Sequence, residues 1–332
     1  LKAIIIDRPG GPANLQLREK PDLQPVPGML TIDVAYAGVG YFEVLLSRGE
    51  FSSVFPMPLT PGLEVSGYVR AIGEGVEGFY VGQPVASMTL HDLNGFASMA
   101  NVRPDLTVPL DQLGADLDLA TAAASIVNLT TAYLAIKDVY RMRTGDNILV
   151  HAAVGGLGSF IGQMAKRLGA GKVLGTVGSA EKVKLAESLG YDELFVRSDF
   201  VEQTLRTTGQ KGVHAVFDPV GGNMRKQSLE VLRSLGQLLV VGNASGEEDI
   251  LHSYNQIWLS NKQIAGFTLG GYSDSNPVET GKAAREALGM LARKEIHAEI
   301  HGVYPLENAS EALALLEEKK TVGKLVLQIH HN

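Results

Sequence analysis

The chain has 332 residues, 45% of them hydrophobic and 20% charged, with 38 glycines and a formal net charge of −7. Those values fit one large or two medium globular domains rather than a disordered chain, and the acidic balance argues against nucleic acid or an anionic membrane as partner. The absence of cysteine excludes disulfides, thiolate zinc sites, iron–sulfur clusters and a cysteine nucleophile.

Residues 1–120 read as short strands broken by Gly and Pro: KAIIID, MLTIDVAYAGVG, VSGYVRAIG and QPVASM. Turn clusters recur between them, as in an antiparallel or barrel-like β domain. The texture then changes: LDLATAAASIVNLTTAYLAIKDVYRM has neither Gly nor Pro and suits one or two helices. No apolar run of about 18 residues and no signal-peptide pattern is expected from this reading, which makes the chain soluble and cytoplasmic.

From residue 146 strands and helices alternate. NILVHAA, KVLGTVG, ELFVRS, GVHAVFDPV, QLLVVGN and QIAGFTLGG read as strands; LGSFIGQMAKRLG, AEKVKLAESLG and NMRKQSLEVLRSLG read as helices. Near-continuous apolar strands between helices imply a parallel sheet covered on both faces. Residues 280–320 return to helices, and KLVLQI closes the chain as a strand. The expected fold is α/β, with a β-rich domain over 1–122 and 271–332 interrupted by a doubly wound domain over 123–270.

The stretch HAAVGGLG lies between a predicted strand and a predicted helix, the context in which a glycine-rich loop approaches a dinucleotide pyrophosphate. In register, the fingerprint positions are Ala153, Val154, Gly155, Gly156, Leu157 and Gly158, with alanine where the first glycine is usual. Gly155 gives the backbone access to the anion, Gly158 lets the helix pack on its strand, and the helix N-terminus offers N–H groups. No Gly-Lys-Ser/Thr follows, which excludes a Walker-type ATP loop. The next strand ends GTVGSAEK, with Val177 and Gly178 where an NAD enzyme places the acid that takes both ribose hydroxyls. A carboxylate there repels a 2′-phosphate, so its absence, with Ser179, Lys182 and Arg197 nearby, favours NADPH. VGNASG puts Gly242, Asn243 and Ala244 at another strand end, where ligands bind.

Several segments together resemble the medium-chain dehydrogenase/reductase superfamily, and within it the zinc-independent quinone oxidoreductase (zeta-crystallin-like) group. AGVGYFEVLLSRGEF is similar to its GVN…D…GxY segment, and TPGLEVSGYVRAIGEGVEGFYVGQPV carries Pro-Gly-x-Glu-x-x-Gly; LTTAYLAI, HAAVGGLG, FDPVGG and GKLVL follow in family order. The resemblance implies a GroES-like β-rich domain plus a Rossmann domain, an active site in the cleft, and a homodimer paired through QIAGFTLGG. It also implies that Asn128 and Thr130 lie near the nicotinamide, that Leu269, Gly270 and Gly271 cover its amide, and that Lys324 reaches the cofactor cleft. The zinc branch needs a histidine before the glutamate of its second segment; Leu63 stands there, and Glu64 alone holds no tetrahedral zinc.

Without a metal, the site must position a hydride donor and stabilise delocalised charge, which suits quinones and α,β-unsaturated carbonyls. Relatives carry Asn where Gly40 stands and a proton-donating Tyr where Phe51 stands. Tyr41 is the candidate for the lost hydroxyl, read here as a strand-end residue, and Thr130 is the other catalytic candidate. Asp218 in FDPVGG is read as a turn cap, His151 as a core imidazole, and Glu43 and Glu64 as holders of backbone groups. Two alternatives stay open: an enoyl-thioester reductase, against which Phe51 counts, and an NADPH-binding protein with little turnover, serving as a structural or sensor module.

Overall fold

The computed structural model describes residues 1–248 and 250–329. The chain divides into two compact units, Leu1–Thr130 with Gly270–Asn332, and Thr131–Leu269. The expected boundaries at 122/123 and 270/271 thus become 130/131 and 269/270; residues 330–332 of the expected return segment lie outside the described residues. The first boundary falls inside a continuous helix, which composition alone could not divide.

In chain order the first unit opens with β1 (Lys2–Ile6), β2 (Leu15–Glu19) and β3 (Leu30–Val39), followed by α1 (Tyr41–Arg48), β4 (Glu64–Ile72), β5 (Pro84–Met88), β6 (Met99–Val102), β7 (Thr107–Pro109) and α2 (Leu119–Leu134). The second unit contributes β8 (Ile148–Val150), α3 (Gly156–Arg167), β9 (Val173–Val177), β10 (Glu193–Val196), α4 (Phe200–Thr207), β11 (Val213–Asp218), α5 (Asn223–Val231), β12 (Leu232–Val240), α6 (Tyr254–Leu259) and β13 (Gln263–Gly266). The return consists of α7 (Leu269–Ser275), α8 (Pro277–Ala292), β14 (Ile300–Pro305), α9 (Ala309–Glu317) and β15 (Lys324–Gln328).

The first unit is built on a seven-stranded sheet in the order β14-β15-β3-β4-β5-β7, with β6 also pairing β3. β3 is central, and its apolar residues, Leu30, Ile32, Val34, Ala37 and Val39, enter the main core with Val65, Val85 and Leu325. The register positions the chemistry: Leu325 faces Val39 and Ala37 faces Val65, so Lys324, Gly38, Gly40 and Glu64 gather at one end of the sheet. β14 lies within the stretch expected to be wholly helical; its alternating half-exposed pattern is that of an edge strand.

The second unit is a six-stranded all-parallel sheet ordered β10-β9-β8-β11-β12-β13, which is the 3-2-1-4-5-6 order of a doubly wound dinucleotide fold. Three local expectations are corrected. AEKVKLAESLG forms two 3₁₀ segments, Ala180–Leu185 and Glu187–Leu189, rather than one α-helix; the outer segment buries no side chain that would hold a full helical stripe. QIAGFTLGG is a strand only to Gly266, and Leu269–Gly271 open α7. Residues 119–140 form a continuous helical stretch apolar enough by length and composition to cross a membrane, contrary to the reading of the sequence, and most of it is buried inside the fold. It continues from α2 as a π-helical turn over Ala135–Tyr140.

The edge strand β13 and its surroundings expose apolar side chains. α6 buries none of its residues, and Tyr254, Trp258 and Leu259 are 91%, 72% and 70% exposed. Leu235, Leu251 and Ile264 are also exposed, all from the same stretch of chain.

Candidate active site

The glycine loop follows β8 as the sequence predicts. Gly155 is the N-cap of α3, whose first turn has no acidic residue and no side-chain cap, leaving the helix start to an outside anion. A Cβ on Gly155 would meet only Ala152 O, at 3.2 Å, so its open side admits a ligand. Gly158 differs: a Cβ there would lie 2.4 Å from Ala152 O and 2.8 Å from Ala153 Cα, so only glycine lets α3 sit this close to the loop. Tyr191 locks the arrangement by donating its hydroxyl to Gly158 O at 2.6 Å. Alanine at 153 is explained by the neighbouring strand, since a Cβ on Gly175 would fall 2.5 Å from the Ala153 methyl; the two positions share one side chain between them. Gly156 and Leu157 form the first turn of α3.

β10 pairs β9 with Val196 opposite Val177, which brings Arg197 beside Val177, Gly178 and Ser179; Arg197 N donates to Val177 O at 3.0 Å. Arg197 Nε is buried and has no hydrogen-bond partner, a costly state for a donor. Gly178 has nothing within 4 Å of a built Cβ, so the space at the end of β9 is open. Lys182 N donates to Ser179 O at 3.2 Å, placing that lysine one turn on, and partial burial lowers its ammonium below the ordinary value. An open strand end with an unsatisfied guanidinium nitrogen, and no carboxylate at 177 or 178, fits a ribose carrying a 2′-phosphate.

At the end of β11, Asp218 Oδ1 accepts Val220 N at 2.8 Å and Gly221 N at 3.0 Å, so it caps the FDPVGG turn as read from the sequence. Arg225 donates to Asp218 Oδ2 at 3.2 Å and to Gly242 O at 2.6 Å. Asn243 Oδ1 would lie 2.0 Å from a Cβ on Gly221, and Ala244 N donates to Pro219 O at 3.0 Å. Gly242, Asn243 and Ala244 are thereby folded over the 218–222 turn at the carboxyl end of the sheet.

His151 is fully buried, with Nδ1 3.0 Å from Thr176 Oγ1 and Nε2 2.7 Å from Ser228 Oγ. Ser228 donates its own proton to Met224 O at 2.7 Å, so Nε2–H donates to Ser228 and Nδ1 accepts from Thr176: a neutral imidazole. Burial pushes it down to about 4, which agrees. It is a core residue of the second unit.

In the first unit, Tyr41 is not at a strand end. Gly40 is the N-cap of α1 and Tyr41 its first residue, half-buried against the apolar core with its phenol near Arg48. Phe51 stacks on Phe42, ring centroids 4.8 Å apart, and Phe55 meets the same ring edge-on. Thr130 is buried and donates its hydroxyl to Ile126 O one turn back, leaving lone pairs as its remaining polar capacity; Asn128 is half-buried on the same helix. Leu269 is 5% exposed, and Gly270 and Gly271 follow it in the first turn of α7.

Lys324 is 6% exposed and pairs with Glu64, Nζ to Oε1 2.5 Å. Glu64 Oε2 accepts Val127 N at 2.9 Å. Glu43 accepts Gly40 N at 2.9 Å and Leu63 N at 3.1 Å, and burial pushes its carboxyl up to about 7. The sequence presented Glu43, Glu64 and Lys324 separately; only strand register unites them. His91 lies 3.1 Å from Ser273 Oγ and 3.0 Å from Asp274 Oδ1, tying its loop to α7. Among the described residues no group of three His, Cys, Asp or Glu side chains could hold a metal ion.

Comparison with known proteins agrees with this layout. Residues 26–112 match the alcohol dehydrogenase GroES-like domain family, and residues 156–284 match the family described as zinc-binding dehydrogenase. The chain is 31% identical over 325 residues to a probable quinone oxidoreductase of Schizosaccharomyces pombe, covering 97% of this chain and 95% of that protein. It is 32% identical over 326 residues to a quinone oxidoreductase of Pseudomonas aeruginosa, covering 96% of each. The crystal structure of Escherichia coli quinone oxidoreductase complexed with NADPH superposes with a TM-score of 0.89 at 27% identity, covering 99% of this chain and all of that one. With a GroES-like unit, a six-stranded parallel Rossmann sheet and these relatives along nearly its whole length, the chain belongs to the quinone oxidoreductase group of the medium-chain dehydrogenase/reductase superfamily.

Proposed function

We propose that the protein is an NADPH-dependent, metal-free reductase acting on a quinone or an α,β-unsaturated carbonyl compound. The observation that carries this reading is the end of β9: no carboxylate at Val177 or Gly178, and the buried, unpartnered Arg197 Nε beside it. Arg197 and Lys182 would take the 2′-phosphate, and Gly155 through Gly158 with the start of α3 would take the pyrophosphate. The bound dihydronicotinamide supplies the hydride. With leucine at 63 and Lys324 already paired to Glu64, the first unit presents no Lewis acid to a simple alkoxide. Acceptors that spread the incoming charge over a conjugated system need none, which favours quinones and enones.

The test is NADPH consumption against a naphthoquinone, an alkyl enone and crotonyl-CoA, each repeated with NADH. Turnover with the first or second acceptor and a preference for NADPH is the expected outcome. Turnover confined to crotonyl-CoA makes the protein an enoyl-thioester reductase instead, and silence across the panel with NADPH bound makes it a binding protein.

The same reading includes a homodimer. β13 is a sheet edge whose strand mate is missing on one side, and edges of this kind pair readily with a second copy. The exposed Tyr254, Trp258, Leu259 and Ile264 supply apolar area beside it. Sedimentation equilibrium should return twice the chain mass of 35.4 kDa; the single-chain mass refutes the dimer.

A further inference from the structure

Two carboxyl groups and one ammonium group are buried together at one end of the first unit's sheet. Glu43 and Glu64 are each 1% exposed and Lys324 is 6% exposed. Lys324 and Glu64 are the charged groups that face Glu43; its other partners are the backbone amides of Gly40 and Leu63. A Cβ on Gly40 would lie 2.9 Å from Glu43 Oε2 and 3.4 Å from Lys324 Nζ, so both groups crowd one point at the start of α1. Fully ionised, the set has an unbalanced negative charge shielded from water; one bound proton makes it neutral. Neutrality is strongly favoured where solvent cannot screen the excess.

We propose that Glu43 is a positioning residue that makes the reactivity of this site depend on one buried proton. The proposal rests on the reductase reading above. With Glu43 protonated, Lys324 serves Glu64 alone, and Glu64 keeps its bond to Val127 N, next to Asn128 and one turn before Thr130. When the proton leaves for solvent, a second carboxylate competes for Lys324. The Gly40–Tyr41 turn and the Glu64–Val127 contact are then pulled by the same ammonium. Burial, against the opposing pull of Lys324, sets this change at about 7 rather than at the ordinary 4.5. The sign for stability follows: the native state keeps the proton to about 7 while the unfolded chain loses it near 4.5. The stabilisation is therefore complete below 4.5 and is lost as pH rises through 7.

Infrared difference spectra of wild type and Glu43→Gln, taken from about pH 5 to about pH 9, read the protonated carboxyl directly. The matching activity measurement is kcat/KM for NADPH with the acceptor found in the panel. Wild type should show a buried carboxyl band that fades near 7 and that Glu43→Gln lacks. Its kcat/KM should fall about tenfold per pH unit above that point, while the variant stays flat. Absence of the band in wild type overturns the proposal, as does a variant that melts earlier but keeps the wild-type pH profile, because that is a structural role only. Should Glu43→Gln not fold, Glu43→Asp, too short to span the Gly40 and Leu63 amides, must move the midpoint of the profile; an unmoved midpoint overturns the proposal. Silence across the panel with the band intact overturns the reductase reading and the positioning role with it, whereas turnover with coincident profiles overturns the positioning role alone.

Discussion

At the ends of β8 and β9 in the α/β unit polar groups are left unspent: the uncapped start of α3 and the unpartnered Nε of Arg197, beside the open space at Gly178. At one end of the β-rich unit's sheet they are spent on one another, Lys324 on Glu64, Glu64 on Val127, and Glu43 on Gly40 and Leu63. Both units bury charge, Asp218 against Arg225 in the α/β unit and Glu64 against Lys324 in the β-rich unit, while His151 stays neutral between two hydroxyls. A surface that captures and releases an anion needs donors in waiting, because any internal partner competes with the ligand. Buried charges paired with one another hold fixed positions, because losing a partner leaves an uncompensated charge in the interior. The contrast is thus between a unit arranged for exchange and one arranged for rigidity.

The sharpest way to break the rigid side is Lys324→Met. It leaves Glu64 buried beside Glu43 with no cation, and should cost about 3–5 kcal/mol of stability, read by urea unfolding. A loss below about 1 kcal/mol, the scale of an exposed pair, would show that the ion pair is solvated and the contrast illusory.

The neutral, buried His151 of the α/β unit should make stability fall in acid. As pH falls the unfolded chain protonates His151 near 6.5, whereas the native imidazole resists to about 4. The stability it contributes is complete above 6.5 and lost as pH falls through 4, about 3 kcal/mol in all. Unfolding midpoints at stepped pH, compared with His151→Gln, measure it; equal slopes in the two proteins would place the acid sensitivity elsewhere.

The smallest expected effect concerns the segment after β9. Lys182→Ala should raise the KM for NADPH about tenfold, roughly 1.4 kcal/mol, and leave NADH unchanged. Equal changes with both cofactors would remove Lys182 from the 2′-phosphate position.

These two sides were unequally legible in the sequence. HAAVGGLG, the missing acid at 177–178 and the strand–helix rhythm are local patterns, and the parallel sheet follows from them. Lys324 and Glu64 meet only because β15 and β4 both pair with β3, a register that sequence spacing does not display. Tyr41 was misplaced because AYAGVGYF has the β-favouring texture of a strand; the start signal for α1 was Glu43 at the third helical position behind Gly40, an N-cap with no side chain. The apolar length of 119–140 is masked in the sequence because small Ala, Ser and Thr residues dilute it, yet they are what a tightly packed core helix uses.

Trp258 is the chain's single tryptophan, and it stands 72% exposed on α6. Its emission therefore samples the solvent at that face and carries little record of whether the interior is folded. Heating an isolated chain should leave the indole spectrum almost where it began, whereas covering the face dries the ring and shifts its light to the blue. If a second copy covers that face, fluorescence follows assembly while circular dichroism follows folding.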